Sequence, residues 1–473
     1  MNFRRWVVFT FLIHVLVIVV DKGGGLVLYL LCADRREQHG ESGIIASLPF
    51  ILGAIANLGL SSAMVYFVRR GRFTAQQGFE TSMTVALVWG GFVAALSMLI
   101  VVFVLPAINV EWTCDPWLVA PCCLVVPLLL VSSYANSTQL ATDHVKGYGV
   151  VHAATSVTFL PAFFAIFYWL GADVAKGHAP YAVSWGRLCS TFAVAVFAVW
   201  LVRGIVKVRL GVHREFLREG VRYGWKANLT STLNYLNHRI DLFVLFALYA
   251  VPAGVFGKDA DDIKNTQVAL YSVAVTWAEL VWHFPESMRD LFFSKVAGSS
   301  HEEARRLTPV LCRLGLWLSV VGATTIVLLI DPIMGTITSM AKGSSDVWFR
   351  DWSPMVTTAL WVLVPGTVAY TVSKVLQADL GARDRLQTCV NAQLMVLATM
   401  LGLDAVLIPE HGAVGAAAAS SIAYALATLY TLWEYGRQTG NSILTCVLIR
   451  GSDLRYVREI GGAVLAKLRW SKS

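Results

Sequence analysis

The chain alternates between long apolar runs and short polar segments that carry most of its charge. A helix of about 20 apolar residues spans the roughly 30 Å hydrocarbon core of a bilayer. Twelve runs of this kind occur, at 6–31, 43–68, 82–108, 117–135, 149–171, 180–202, 225–255, 267–284, 307–332, 354–376, 386–408 and 413–435. The first run is too long for a signal peptide, and no cleavage site of small residues follows it. The pattern predicts an all-α integral membrane protein with about twelve transmembrane helices.

The basic residues fall unevenly on the two sides of these predicted helices. Of 38 lysines and arginines, 27 lie on the side that holds both termini, 7 on the other side and 4 within spans. Cytoplasmic loops are enriched in Lys and Arg, so both termini are predicted to be cytoplasmic. Only 14% of residues are charged, against about 25% in soluble proteins. The net charge of +8 is therefore assigned to membrane orientation, and no nucleic-acid partner is expected.

The longest interior loop follows the sixth predicted helix and carries seven cationic residues. It divides the chain into a six-helix lobe at 1–203, a basic cytoplasmic linker at 204–224, a second six-helix lobe at 225–437 and a cytoplasmic tail at 438–473. An even number of helices gives both lobes the same orientation, as in transporters built from parallel repeats with a site at the repeat interface. The basic, amphipathic tail is expected to contact membrane lipids.

The seventh predicted helix carries an unusual density of polar groups. Ionisable side chains inside a membrane are unfavourable and usually face a bundle interior or an aqueous cavity. Four side chains share one face through i, i+3, i+4, i+7 spacing: Asn234, Asn237, His238 and Asp241. Arg239 lies on another face and too deep to reach water, so it requires a partner on another helix or an anionic ligand. A structural ion pair and a part in substrate binding both stay open.

Two other predicted helices supply charges that complement this one. On the eighth, Glu279 and His283 belong to an acidic stripe that runs towards the cytoplasm. Glu279 is the deeper residue, and it is expected either to balance Arg239 or to take up and release a proton. On the first, Asp21 and Lys22 adjoin three consecutive glycines, which favour bending or close packing.

The remaining polar residues of the spans suggest no special chemistry. Four lie near predicted helix ends and are expected to extend towards water: Arg187, Asp331, Lys374 and Asp404. The eight cysteines are scattered and are interpreted as apolar packing residues. The sequence has no nucleotide-binding loop, no metalloprotease or serine-hydrolase motif and no sizeable soluble domain. These features predict a secondary transporter with a net cationic cavity, no enzymatic activity and no cofactor.

Four segments, taken together and in order, resemble one transporter family. Residues 57–72 read NLGLSSAMVYFVRRGR, and residues 236–241 read LNHRID. Residues 271–282 contain YSVAV and AEL before Trp282, and residues 374–424 contain KVL, GAR, IPEHGAVGAA and SSIAY. This set is similar to the polysaccharide-transport branch of the multidrug/oligosaccharidyl-lipid/polysaccharide (MOP) exporter superfamily, which includes bacterial O-antigen and capsule flippases. At 35–43 the chain keeps only the glycines of that family's pattern.

The resemblance implies alternating access by two six-helix lobes of MATE/MOP-like fold in the bacterial inner membrane. The implied cargo is an undecaprenyl-diphosphate-linked oligosaccharide for surface polysaccharide synthesis, moved from the cytoplasmic to the outer leaflet. A polysaccharide polymerase complex is then an expected partner. A cationic-drug exporter of the same fold and a membrane-embedded glycan polymerase or ligase are the alternatives.

The same resemblance gives the intramembrane polar residues their expected roles. A diphosphate suits cations, and sugars suit amides and aromatic rings. The predicted substrate-binding residues are Lys22, Arg239, Asn234, Asn237 and Tyr235. Coupling to H⁺ or Na⁺ is expected to involve Asp21, Asp241, Glu279 or His283.

Overall fold

Helices hold most of the described residues, and the chain divides into two units, Met1–Asn228 and Leu229–Ser473. The computed structural model describes residues 13, 17, 20, 48–50, 52–54, 56–104, 115–172, 178–250, 258–282, 289, 292–340 and 345–448. No strand occurs within those ranges. Most of the predicted first span, the loop at 32–42 that follows it and the tail beyond residue 448 lie outside them.

The helices of the first unit are α1 (Leu60–Arg69), α2 (Ala75–Leu99), α3 (Pro116–Ala141), α4 (Val145–Val157), α5 (Phe159–Trp169) and α6 (His178–Val202). Helix α7 (Arg214–Asn237) begins in the first unit and ends in the second. The second unit continues with α8 (Ile240–Leu248), α9 (Lys258–Glu279), α10 (His301–Met340), α11 (Ser345–Ala382), α12 (Leu386–Thr439) and the short α13 (Leu444–Val447).

Seven helical stretches among the described residues are long and apolar enough to cross a membrane. They are Ala75–Phe103, Pro116–Ala141, Val145–Trp169, His178–Val202, Glu302–Ile333, Pro354–Ala382 and Leu386–Thr439. Each overlaps one or two of the predicted spans, so the chain is a multi-pass membrane protein. The total of twelve helices and the sides of the termini stay predictions.

Helix α12 is a hairpin of two helices, because its backbone reverses at Gly412. That residue has φ 53° and ψ −129°, a conformation open only to glycine. Gln267 on α9 caps the reversal, since its Oε1 accepts from Ala413 N at 3.0 Å. Near the other end of the hairpin, Gln438 Nε2 donates to Thr388 Oγ1 at 3.2 Å. The predicted spans 386–408 and 413–435 therefore form the two antiparallel arms.

The second predicted span is interrupted before α1. Asn57 Oδ1 accepts from Gly59 N at 3.0 Å, and Gly59 adopts φ 73°. A Cβ on Gly59 would lie 1.9 Å from the carbonyl oxygen of Gly224 on α7. The turn and α7 thus meet backbone to backbone, and Tyr66 of α1 stacks on Tyr223 with ring centroids 4.3 Å apart.

A segment that we call the strap, residues 203–213, connects α6 to α7 in the first unit. It holds no regular secondary structure beyond a turn, and it is hydrogen-bonded along the first turns of α2. Gln76 Oε1 accepts from Lys207 N at 2.8 Å, and Gln76 Nε2 donates to Lys207 O at 2.7 Å. Residues 204–224, predicted as a linker, are therefore this strap followed by the first turns of α7.

Candidate functional site

The polar stretch of the seventh predicted helix lies at a break in the backbone. Helix α7 ends at Asn237 and α8 starts at Ile240, with Arg239 at φ −131° and ψ −20°. The amides of His238 and Arg239 donate to Tyr235 O and Leu236 O, which tightens the last turn of α7. The expectation of one unbroken helix is therefore wrong. A break of this kind inside a membrane leaves main-chain groups available to a ligand or cavity.

An ion pair joins this break to the end of α9. Arg239 Nη2 lies 3.4 Å from Glu279 Oε1, and α9 gives way to a 3₁₀ turn, Leu280–Trp282, directly after Glu279. The structure thus pairs Arg239 with Glu279, and balancing Arg239 is one of the two roles that the sequence suggested for this carboxylate. The Arg239 side chain is 42% exposed and that of Glu279 17%. The guanidinium is therefore open to a further anionic group while it contacts Glu279.

A cluster of aromatic rings lies beside the ion pair. The His238 and Trp282 ring centroids are 4.6 Å apart, and those of Tyr370 and Tyr424 are 4.8 Å apart. Lys374 Nζ lies 4.1 Å from the Trp282 ring centroid, in cation–π distance. Lys374 is buried, so the expectation that it extends to water is wrong. Its aliphatic stem carries the ammonium group over the Trp282 ring, and this contact takes the place of water.

Asp241, at the start of α8, is fully enclosed by hydrogen-bond donors. It accepts from the Tyr271 hydroxyl, from Ser420 Oγ at 3.3 Å and from Leu242 N at 2.9 Å. Tyr271 and Ser420 also contact each other, with 3.1 Å between their oxygens. A buried carboxylate needs such compensation because transfer from water is costly.

A second buried carboxylate lies near the first. Asp404, on the first arm of α12, is wholly buried, and neither carboxylate oxygen has a hydrogen-bond partner. It is close enough to Asp241 for their charges to interact. The sequence expectation that Asp404 extends to water at a helix end is wrong, because its side chain is wholly buried. Spacing on the predicted span gave no signal of this burial.

The other predicted substrate-binding residues have different surroundings. Asn237 is buried, and its Nδ2 donates to Gln393 O at 3.0 Å and Gln393 Oε1 at 2.9 Å. Its amide is thus used to fix the end of α7 to α12. Asn234 and Tyr235 are half-buried. Lys22, Asp21 and His283 lie outside the described residues.

These elements surround a small cavity. Six of its lining residues carry polar atoms at or near the break: His238, Asp241, Tyr271, Glu279, Trp282 and Tyr424. The space accessible to water is about 10 Å³, which suits one water molecule or an ion. A sugar or a drug-sized molecule does not fit in this conformation. The arrangement brings the carboxylates of Asp241 and Glu279 to one cavity, and the Arg239 guanidinium contacts Glu279.

The fold is that of known membrane transporters. A MATE protein crystallised in complex with MaL6 matches with a TM-score of 0.71 at 14% identity, over 92% of this chain and 96% of that one. An outward-facing multidrug resistance MATE family transporter of the MOP superfamily matches with a TM-score of 0.67 at 14% identity and the same coverage. No protein-family model matches the sequence, and no curated protein matches it either.

A third solved structure is a MOP superfamily transporter from Pyrococcus furiosus, described by the reverse polarity of its binding pocket, which suggests a different function. It matches with a TM-score of 0.67 at 13% identity, over 92% of this chain and 96% of that one. The chain thus shares its fold with these solved structures, and this fold is the one that the sequence resemblance implied.

Proposed function

We propose that the chain is a flippase that moves a polyprenyl-diphosphate-linked oligosaccharide across the bacterial inner membrane by alternating access. The observation that carries the proposal is the partly exposed guanidinium of Arg239 at the break between α7 and α8, within the span predicted at 225–255. An arginine there stabilises an anionic ligand, and its planar fork suits two phosphate oxygens. The cargo would serve O-antigen, capsule or exopolysaccharide synthesis, together with a polymerase complex.

Arg239 has the geometry of a residue that exchanges partners. Its 3.4 Å contact with Glu279 is longer than the roughly 2.7–2.9 Å of a strong charge-assisted hydrogen bond. A diphosphate can therefore displace Glu279 from the guanidinium with little loss of interaction free energy. Lys22 is proposed as a second phosphate contact, and Asn234 and Tyr235 as sugar contacts, since both are half-buried beside the break.

We assign ion coupling first to Asp241, together with Asp404. Two neighbouring carboxylates inside an apolar layer repel each other unless a proton or a cation lies between them. Both carboxylates are buried, and the adjoining cavity admits an ion. Glu279, released when cargo takes Arg239, is the next candidate. Asp21 and His283 stay proposals on the sequence pattern alone.

The second candidate function is cation-coupled drug export, as in MATE transporters. Its supporting observation is the same cavity, which combines two carboxylates, Asp241 and Glu279, with three aromatic rings. Such a lining also attracts organic cations. A glycan polymerase or ligase, the third candidate, has no support in the fold of the described residues.

The test is leaflet-resolved labelling of lipid-linked oligosaccharide in cells. Deletion of the gene and the Arg239→Ala variant should both accumulate cargo on the cytoplasmic leaflet, while efflux of cationic dyes stays unchanged. Arg306→Ala is the matched control, because Arg306 also pairs with a glutamate but is 80% exposed. Normal cargo distribution in the deletion strain, with dye retained inside, would establish drug export instead. Shortened glycan chains with normal leaflet distribution would indicate a polymerase.

A further inference from the structure

The strap presents an alternation of cationic and apolar side chains to its surroundings. Arg203, Lys207 and Arg209 are exposed, and the sequence has no acidic residue between 203 and 214. Between the cations, Val208 is 43% exposed, Leu210 64% and Val212 51%. Apolar side chains open to this extent, next to one another, usually mark a surface that contacts a partner or a membrane.

Hydrogen bonds to α2 fix the height of the strap relative to the apolar layer. Gly211 N donates to Thr84 Oγ1 at 3.0 Å, and Thr84 Oγ1 lies 3.1 Å from Gly211 O. One helical turn beyond Thr84, Val88 is 71% exposed on a membrane-spanning helix. Leu210 and Val212 flank Gly211, so they lie about one helical turn before the exposed apolar side chains Leu87 and Val88 of α2.

The charge of the strap is only partly balanced within the first unit. Glu80 is the carboxylate that the strap covers, and its Oε2 lies 2.9 Å from His213 Nε2. Gln76 Nε2 donates to the other Glu80 oxygen at 2.7 Å. The positive charge of Arg209 interacts electrostatically with the same carboxylate. His213 and Arg209 interact with this carboxylate, while Arg203 and Lys207 are exposed. An anionic surface complements the remaining positive charge.

We propose that the strap is a binding surface for anionic phospholipid headgroups of the bilayer around the protein. Leu210 and Val212 insert at the boundary of the acyl chains, while Arg203, Lys207 and Arg209 contact the lipid phosphates. Apolar insertion combined with cationic contact is the general mode of interfacial membrane binding. The strap joins α6 to α7. Bound lipid would therefore hold the first turns of α2 and this connection together.

Photo-crosslinking to lipid tests the proposal on the full-length protein. A photo-crosslinking amino acid replaces Leu210, and the protein is placed in nanodiscs with equal amounts of phosphatidylglycerol and phosphatidylcholine. The ratio of the two crosslinked lipids is read by mass spectrometry. We expect phosphatidylglycerol to predominate among the crosslinked lipids. Salt at 0.5 M should reduce this preference, because salt screens charge pairs that are exposed to solvent (the Debye length falls to about 3 Å at about 1 M).

Variants that remove charge supply the second arm. Each cation near an anionic surface changes binding by roughly fivefold, so Arg203→Gln with Lys207→Gln and Arg209→Gln should lower the ratio by about tenfold or more. The matched control removes three other exposed cations, through Lys146→Gln, Arg306→Gln and Arg385→Gln, and should leave the ratio unchanged. A wild-type ratio near one, an equal loss in the control, or crosslinking chiefly to another polypeptide would each overturn the proposal.

Discussion

At the residue scale, the chemistry of the second unit depends on how the charged side chains at and around the helix break are compensated. Asp241 has three donors, Arg239 has Glu279, and Lys374 has the Trp282 ring. Asp404 alone among these charges has buried oxygens without a hydrogen-bond partner. Uncompensated charge is unfavourable to folding, and the proposed function therefore places a proton or a cation at Asp404.

Asp404→Asn should therefore separate stability from coupling. The neutral amide keeps the volume and removes the buried carboxylate, so the melting temperature should stay the same or rise. Transport in proteoliposomes should lose its response to an imposed H⁺ or Na⁺ gradient. Asp331→Asn is the control, because Asp331 is an exposed carboxylate on α10 that accepts from Thr357 at 2.8 Å. Gradient-driven transport that survives in Asp404→Asn would remove Asp404 from coupling.

Exchanging the two charges of the ion pair distinguishes a structural role of Arg239 from a substrate-binding role. Arg239→Ala should lower transport by about tenfold or more, since a hydrogen bond to a charged group contributes roughly 1.5–3 kcal/mol. The double variant Arg239→Glu with Glu279→Arg restores the pair and should recover the melting temperature. It moves the guanidinium to the end of α9, so transport should stay low. Recovery of transport by the exchange would show that the pair is only structural.

At the scale of elements, the apolar pattern predicted the spans and missed their interruptions. Every residue of an apolar run contributes to its hydrophobicity, so the sequence pattern locates a span well. Helices α2, α3 and α6 accordingly lie where the sequence places them. A break depends on a few local contacts with distant residues. Gly59 turns because Gly224 approaches its backbone, and Asn237 ends α7 against Gln393. Those contacts become visible only in the folded chain.

The contact between the turn before α1 and α7 is expected to tolerate no side chain. A Cβ on Gly224 would lie 2.5 Å from Leu58 O, which is backbone and cannot rotate away. Gly224→Ala should therefore destabilise the protein by about 2 kcal/mol or more through overpacking. Gly91→Ala on α2 is the control, because nothing lies within 4 Å of its Cβ position and alanine favours a helix. Thermal unfolding followed by size-exclusion chromatography measures both, and equal midpoints would contradict the packing.

At the scale of the whole molecule, fold and function were predictable to different depths. The transporter fold followed from the spans and from four resembling segments, and solved MATE structures share it at 14% identity. The identity of the cargo depends on the side chains of the binding site rather than on the fold. The sequence indicated Arg239 and Glu279 as complementary charges, because both are deep in predicted helices. It missed the burial of Asp404, since the position of this residue near the end of the predicted span 386–408 indicated exposure to water instead.

The most direct test of the central claim is cargo movement by the purified protein. Liposomes are prepared with the protein and with lipid-linked oligosaccharide from the host in both leaflets, and an impermeant reagent modifies the accessible glycan. The account predicts that the protected pool becomes modified only in vesicles that contain wild-type protein, and that Arg239→Ala vesicles retain it. A pool that stays protected in the presence of folded wild-type protein, while an organic cation is taken up, would contradict the account.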